Sequence, residues 1–265
     1  ILKQFYDKGL LYKGYTIQPY SPGAGTGLSS HELNLPGCYK DVKDTSIVAQ
    51  FKVSKDKRSE FLFKTKLDEV FILAWTTTPW TLPSNTALAV GAQIEYVLVE
   101  TYNPFGGYRI AVILAKELVS AYFPDKNAAL PFEEYKQGDK NIPFRIVASF
   151  QGSDLKGVQY EQLLKFATPA GDAFRLVTGD FVTTTDGTGI VHISPTFGAD
   201  DFRVAAQNDI PALLVMDENG KPMPLVDKQG RFVKEVTDFA GMYVKNYDGQ
   251  DESAPDYKPT DVLIA

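Results

Sequence analysis

The sequence predicts an α+β fold, a β-barrel-like mixed sheet with a few peripheral helices. Three observations carry this expectation: a succession of short β-branched and aromatic segments, only two interior stretches with helical character, and no regular βαβ alternation.

Taken in order, Ile1 to Gly9 reads as the last turns of an amphipathic helix, with Phe5 spaced from Ile1 and Gly9 placed to end it. Tyr15 to Tyr20 predicts a short strand, followed by the glycine-rich run from Ser21 to Gly27. No Lys-Ser/Thr pair follows those glycines and no βαβ unit surrounds them, so they do not make a phosphate loop. From Ser46 the pattern is strand-rich. Strands are expected at Ser46–Val53, Glu60–Thr65, Glu69–Thr78, Thr86–Val90, Glu95–Thr101, Tyr108–Ile113, Phe144–Ser149, Arg175–Val177, Gly189–Ile193 and Ala212–Met216. Ala115 to Phe123 has apolar residues at helical spacing, and Ala199 to Asn208 opens with carboxylates, which suit the positive end of a helix. Asn219-Gly220 is the strongest hairpin signal, because both residues tolerate a positive φ. Asp227 to Thr237 reads as a charged excursion. After Asn246 the chain turns acidic and polar, with Pro255 and Pro259, and Thr260 to Ala265 starts a helix. Residues 1–45 are therefore expected to form an N-terminal stem, 46–246 the core domain and 247–265 a C-terminal stem, as in a domain inserted into a longer chain.

The chain has 265 residues, 44% of them hydrophobic, enough for a substantial core. No apolar run reaches the roughly 18 residues that a spanning helix needs. The single cysteine, Cys38, can form neither an internal disulfide nor a structural zinc site by itself, and a reducing, cytoplasmic location is expected. A net charge of -6 and a pI near 5.1 argue against indiscriminate nucleic-acid binding. One stretch departs from this: Lys52, Lys55, Lys57, Arg58, Lys64 and Lys66 face only Asp56 and Glu60 between Phe51 and Lys66. A solvated hairpin is its simplest role, and contact with RNA the alternative.

Two segments carry candidate chemistry. Thr76, Thr77 and Thr78 suit a β-strand, but their run breaks at Pro79-Trp80, where backbone groups become available. Asp186-Gly187-Thr188-Gly189 suits a hairpin turn and can also aim His192. Alternation places Ile190 and His192 on one face and Val191 and Ile193 on the other. Read alone, His192 suits a hydrogen-bonded core histidine as well as a site residue. His31 is distant and no His-x-x-x-His or Cys-x-x-Cys spacing occurs, so no metal site is expected. Nor is there the Gly-x-Ser-x-Gly elbow of a serine hydrolase.

Trp-Thr-Thr-Thr-Pro-Trp-Thr-Leu-Pro-Ser-Asn at 75–85, joined to Gly-Thr-Gly-Ile-Val-His-Ile-Ser-Pro-Thr-Phe-Gly-Ala-Asp-Asp at 187–201, closely resembles the editing domain of isoleucyl-tRNA synthetase, a class I synthetase. The resemblance covers nearly the whole chain. The related valyl and leucyl enzymes share the Gly-Thr-Gly turn and the threonine-rich strand, whereas the Ile-Val-His-Ile-Ser-Pro version looks isoleucyl. Some relatives carry paired cysteines near the position of Tyr20. This chain has Ser21-Pro22-Gly23 there, so a metal knuckle is not carried over. The family's His-Ile-Gly-His and Lys-Met-Ser-Lys-Ser signatures are absent, which implies an editing insert without aminoacylation.

What the resemblance implies is the hydrolysis of valine mistakenly esterified to tRNA(Ile). A pocket sized for isoleucine rejects valine by only about 1–3 kcal/mol, a limit for which the isoleucyl enzyme is itself the usual example. His192 would be the steric gate that admits valine, and Asp201 would pair with the substrate ammonium. Asp200 is the adjacent acid, which register alone cannot separate from Asp201. Thr76, Thr77 and Thr78 would hold the ester and a water. Trp80 would wall the pocket or stack on the terminal adenosine, and Gly187, Thr188 and Gly189 would line the site. No cofactor is implied for editing, ATP and Mg belonging to the catalytic domain that this chain lacks. The implied partners are the 3′ end of tRNA(Ile) carrying valine and the remainder of the synthetase, with no membrane. The basic run from Lys52 to Lys66 would meet the acceptor end.

Overall fold

Two mixed sheets, one of five strands and one of three, bury their facing sides in a common core. The computed structural model describes residues 1–12, 16–65, 67–247, 249–252, 254 and 256–265. Its strands are β1 (Tyr20–Ser21), β2 (Thr26–Gly27), β3 (Ile47–Lys52), β4 (Val70–Thr76), β5 (Ala87–Val90), β6 (Glu95–Tyr102), β7 (Arg109–Ala115), β8 (Arg145–Gln151), β9 (Arg175–Thr178), β10 (Ile190–Ile193), β11 (Val215–Met216) and β12 (Pro222–Met223). The larger sheet runs β3-β4-β7-β6-β8, with β4 and β7 parallel and the other pairs antiparallel. The smaller runs β10-β5-β9, with β5 and β9 parallel. The α+β class with mixed sheets and few helices is as predicted, but both sheets stay open and no barrel closes among the described residues.

The period-two pattern sorts the core. Leu98 and Ile113 face inward against Phe51, Ile72, Leu88, Leu176 and Ile190, while Val97, Val99, Val112 and Leu114 pack on the opposite face with Phe144. Burial on both faces explains why β6 and β7 read as nearly continuous apolar runs. Each fully buried Leu or Ile contributes roughly 2 kcal/mol. On the far side of the small sheet, Ala89, Val177 and Ile193 pack on Val204 of the helix Ala199–Gln207.

Several expected elements differ. Glu60–Thr65 is no strand: Glu60–Leu62 is a 3-10 turn. Local polar groups outcompete the sheet there, since Asp56 Oδ1 accepts the Arg58 and Ser59 N–H groups and Ser59 donates its hydroxyl to the Ser54 carbonyl. Of the expected strand Tyr15–Tyr20, only Tyr20 among the described residues is in a strand; Tyr15 lies outside the described residues, as do Lys66 and Pro255. The stretch Ala115–Phe123 divides into the end of β7, a 3-10 turn at Lys116–Leu118 and one α turn at Val119–Tyr122. The Asn219-Gly220 hairpin forms between β11 and β12 with Gly220 at φ +70°. In the basic stretch, Lys52 pairs with Glu69 at 2.9 Å and Lys55 with Asp68 at 3.2 Å, so acids from the next segment offset part of its charge. No helix among the described residues is long and apolar enough to cross a membrane.

Candidate functional site

The end of β4 and the start of β10 meet, and a cavity of about 290 Å³ opens between them. Trp75, Thr76, Thr77 and Thr78 line one side. Gly187, Thr188, Gly189, His192 and Asp201 line the other, joined by Phe181, Thr183 and Asp186. A cavity of about 880 Å³ lies elsewhere, around Asp44, Lys245 and Asp261, but it lacks this convergence of hydroxyls, imidazole and carboxylate. Chemistry, not volume, selects the smaller one.

The Gly-Thr-Gly turn is fixed by its backbone. Gly187 and Gly189 sit at φ +69° and +71°, a region that costs other residues strain. A Cβ on Gly189 would lie 2.4 Å from that of Ala115, so only glycine lets the turn rest on β7. Ala115 donates its N–H to the Thr188 carbonyl at 2.9 Å, and the Tyr96 hydroxyl donates to the Gly189 carbonyl at 2.6 Å. Burial pushes the Tyr96 pKa up to about 12, which keeps that hydroxyl a neutral donor. From this turn β10 pairs with β5 and turns His192 inward.

His192 is 7% exposed. Its Nε2 lies 3.0 Å from Thr81 Oγ1, and the Thr81 hydroxyl donates to the Thr78 carbonyl at 2.8 Å. With that proton committed, Thr81 accepts, so Nε2 carries the imidazole proton and Nδ1 is the bare nitrogen. Nδ1 is buried and has no partner among the described residues. Burial lowers the His192 pKa to about 4, so the ring is neutral at pH 7. One ring nitrogen is thus engaged by Thr81 and the other is buried without a partner among the described residues.

The hydroxyls of Thr76, Thr78 and Thr81 form a chain with spacings of 3.3 and 3.5 Å, and Thr78 donates its N–H to Thr76 Oγ1 at 3.1 Å. Thr76 is buried and ends the strand, whereas Thr77 and Thr78 are exposed to the cavity mouth. The structure separates the two acids. Asp200 points to solvent and pairs with Arg203 at 3.0 Å. Asp201 is half-buried against the cavity, and its Oδ2 accepts the Ser194 N–H at 2.8 Å. Burial, aided by the nearby Asp200 charge, raises the Asp201 pKa to about 6. Trp80 does not line this cavity: its ring packs on Phe197 at 4.9 Å between centroids, on the side of the Leu213–Phe232 cluster. The fold turns it away because Pro79–Ser84 is a 3-10 turn rather than a continuation of β4. Thr81 was not among the residues expected from sequence. Its signal was its place three residues after Thr78 across a proline, the spacing at which a hydroxyl returns to the backbone. Among the described residues no group of three or more His, Cys, Asp or Glu gathers as a metal centre requires.

The chain is 61% identical to an isoleucine–tRNA ligase of Cytophaga hutchinsonii over 92% of its own length, and 53% identical to one of Bacteroides fragilis over 96%. It belongs to the isoleucine–tRNA ligase family. The match persists at 41% identity with the Clostridium tetani enzyme over 94% of the chain. The chain spans 21%, 24% and 20% of these relatives, so it corresponds to one segment of an isoleucine–tRNA ligase. No family model matches the chain. Among solved structures it is similar to the editing domain of a cytosolic leucyl-tRNA synthetase from P. knowlesi, with 14% identity, a TM-score of 0.45, and coverage of 62% of this chain and 64% of that one.

Proposed function

We propose that the 290 Å³ cavity is a post-transfer editing site that hydrolyses the ester joining valine to the 3′ end of tRNA(Ile) and spares the isoleucyl ester. One observation carries the reading: Thr76–Thr78 and the Gly187–Asp201 stretch, more than a hundred residues apart in sequence, line one small cavity whose inner wall is a neutral imidazole. Membership of the isoleucine–tRNA ligase family supports it.

In this reading Asp201 binds the α-ammonium. A carboxylate with a pKa of about 6 is mostly ionised at pH 7, and the arriving cation favours ionisation further. The hydroxyls of Thr76 and Thr78 orient the ester and a water, and neighbouring N–H and O–H donors stabilise the developing oxyanion. His192 stays out of the proton transfer, and the substrate's own ribose hydroxyl serves as the proton carrier. The ring's contribution is steric: its bond to Thr81 holds it where isoleucine's extra carbon would lie. Selection by obstruction suits this task, because attraction alone separates one methylene by only about 10–200-fold. The partners are the acceptor end of tRNA(Ile) and the rest of the synthetase, in the cytoplasm, and editing takes no cofactor. Deacylation of Val-, Ile- and Thr-charged tRNA tests the reading. Turnover of the valyl ester over the isoleucyl ester supports it, preference for the threonyl ester points to valyl-type editing, and binding without turnover points to a docking insert.

A further inference from the structure

The turn that carries Thr81 is capped from far away in the chain. Pro79–Ser84 begins at Thr78, whose side chain caps no N–H of the turn. Pro79 has no N–H, and Thr81 donates its own to the Thr78 carbonyl at 3.0 Å, which leaves the Trp80 N–H as the open donor of the first turn. Asp261 Oδ1 accepts it at 2.8 Å from 181 positions away. Asp261 is 2% exposed, and its Oδ2 accepts from Lys245 Nζ at 2.5 Å. Lys245 also reaches Asp44 at 2.7 Å, and Thr260 donates its hydroxyl to the Tyr243 carbonyl at 2.6 Å, so the carboxylate is held from several sides. A buried carboxylate with both oxygens engaged marks a fixed point, and here that point sits one residue from Thr81, which holds His192.

We propose that Asp261 is a positioning residue for the cavity: its carboxylate caps the Pro79–Ser84 turn and thereby holds Thr81 against His192 Nε2. The inference rests on the editing reading for its effect on selectivity, but its geometric content stands without it. Asp261 does not line the Thr76–His192 cavity, and its bond to that side of the molecule is to the Trp80 N–H of the turn. The Asp44–Lys245–Asp261 clip engages the other oxygen of the same carboxylate and also ties Asp44 to the C-terminal part of the chain, so it stabilises the fold whether or not the turn is capped.

The test uses the whole 265-residue chain with two readouts. Only two histidines are present, and His31 is exposed, so the ring ¹⁵N signals of His192 can be assigned by NMR without any activity. Asp261→Ala should change the His192 Nε2–H signal and lower the Val-over-Ile ratio of deacylation by about tenfold, the lower edge of what one methylene is worth. Asp261→Asn, whose amide oxygen can still accept from Trp80, should leave both readouts near wild type. Lys245→Met should lower Tm while leaving the His192 signal and the ratio in place. If Asp261→Ala does not fold, Asp261→Glu decides, because it keeps the charge but displaces the acceptor by one methylene and should shift the His192 signal. An unchanged His192 signal in Asp261→Ala, or in Asp261→Glu where that variant is used, overturns the proposal. Equal changes in Lys245→Met at matched loss of Tm also overturn it. A wild-type chain that hydrolyses no ester removes the editing reading and leaves the NMR comparison to decide the positioning role.

Discussion

Asp201→Asn should make the protein more stable and less active at the same time. The carboxyl is raised from 3.8 to about 6, chiefly by burial. Two units at about 1.4 kcal/mol each set a ceiling of about 3 kcal/mol on the cost of keeping it ionised in the folded state. Asp201 is only half-buried, so water and salt reduce this to about 1–2 kcal/mol. Asparagine keeps an oxygen for the Ser194 N–H, so that bond survives. The sign follows from linkage. A carboxyl whose folded pKa is raised holds its proton more tightly when folded, so wild type carries the full cost above about pH 6 and recovers it as pH falls towards 4. Urea unfolding should therefore find Asp201→Asn more stable than wild type at pH 8, with the gap closing on the way to pH 4. Deacylation of Val-tRNA should fall by about ten- to a hundredfold, the worth of a hydrogen bond to a charged group. A gap that is absent at pH 8, or equal at both pH values, would refute the burial of this charge. Full activity in the variant would move the ammonium anchor elsewhere.

One further outcome concerns the site and one the sheet beneath it. Thr81→Val removes the acceptor for the His192 Nε2–H, which should cost about 1–3 kcal/mol in urea unfolding and loosen discrimination between valyl and isoleucyl esters, because the ring is no longer held. Glu100→Gln tests the sheet rather than the site: Glu100 is 2% exposed and pairs with Arg109 and with Arg145 Nη2 at 2.6 Å, both guanidiniums lying over the Phe132 ring. Both arginines reach solvent, so the loss should be about 2 kcal/mol, below that of a fully buried pair, with Val-tRNA selectivity unchanged.

Much of the core was legible because β5, the Val97, Leu98 and Val99 centre of β6, and β7 after Arg109 are runs of Val, Ile, Leu and Ala, whose apolar side chains offer the backbone no alternative partner. The expected strand at Glu60–Thr65 failed where such competition exists, in the Asp56–Ser59 network. At the site, Thr76–Thr78, the Gly187–Gly189 turn, His192 and Asp201 could be singled out by residue type and motif, and the fold gathers them around one cavity. The choice between Asp200 and Asp201 was not legible, because adjacent residues differ only in which way the helix turns them. The direction of the Trp80 ring was not legible either: the sequence marks the break at Pro79 but not the 3-10 turn that follows, which carries the ring to Phe197 and away from the cavity lining. The bond from Asp261 to Trp80 has no local signal, since nothing near either residue specifies a partner 181 positions away.

The most direct test of the account is the rate at which wild type and His192→Ala hydrolyse Val-tRNA(Ile) and Ile-tRNA(Ile). If His192 is a wall and not a base, wild type cleaves the valyl ester and spares the isoleucyl ester, and His192→Ala cleaves both. Loss of all hydrolysis in a folded His192→Ala would make the ring part of the chemistry, and an unchanged preference for valine would place the gate on another residue.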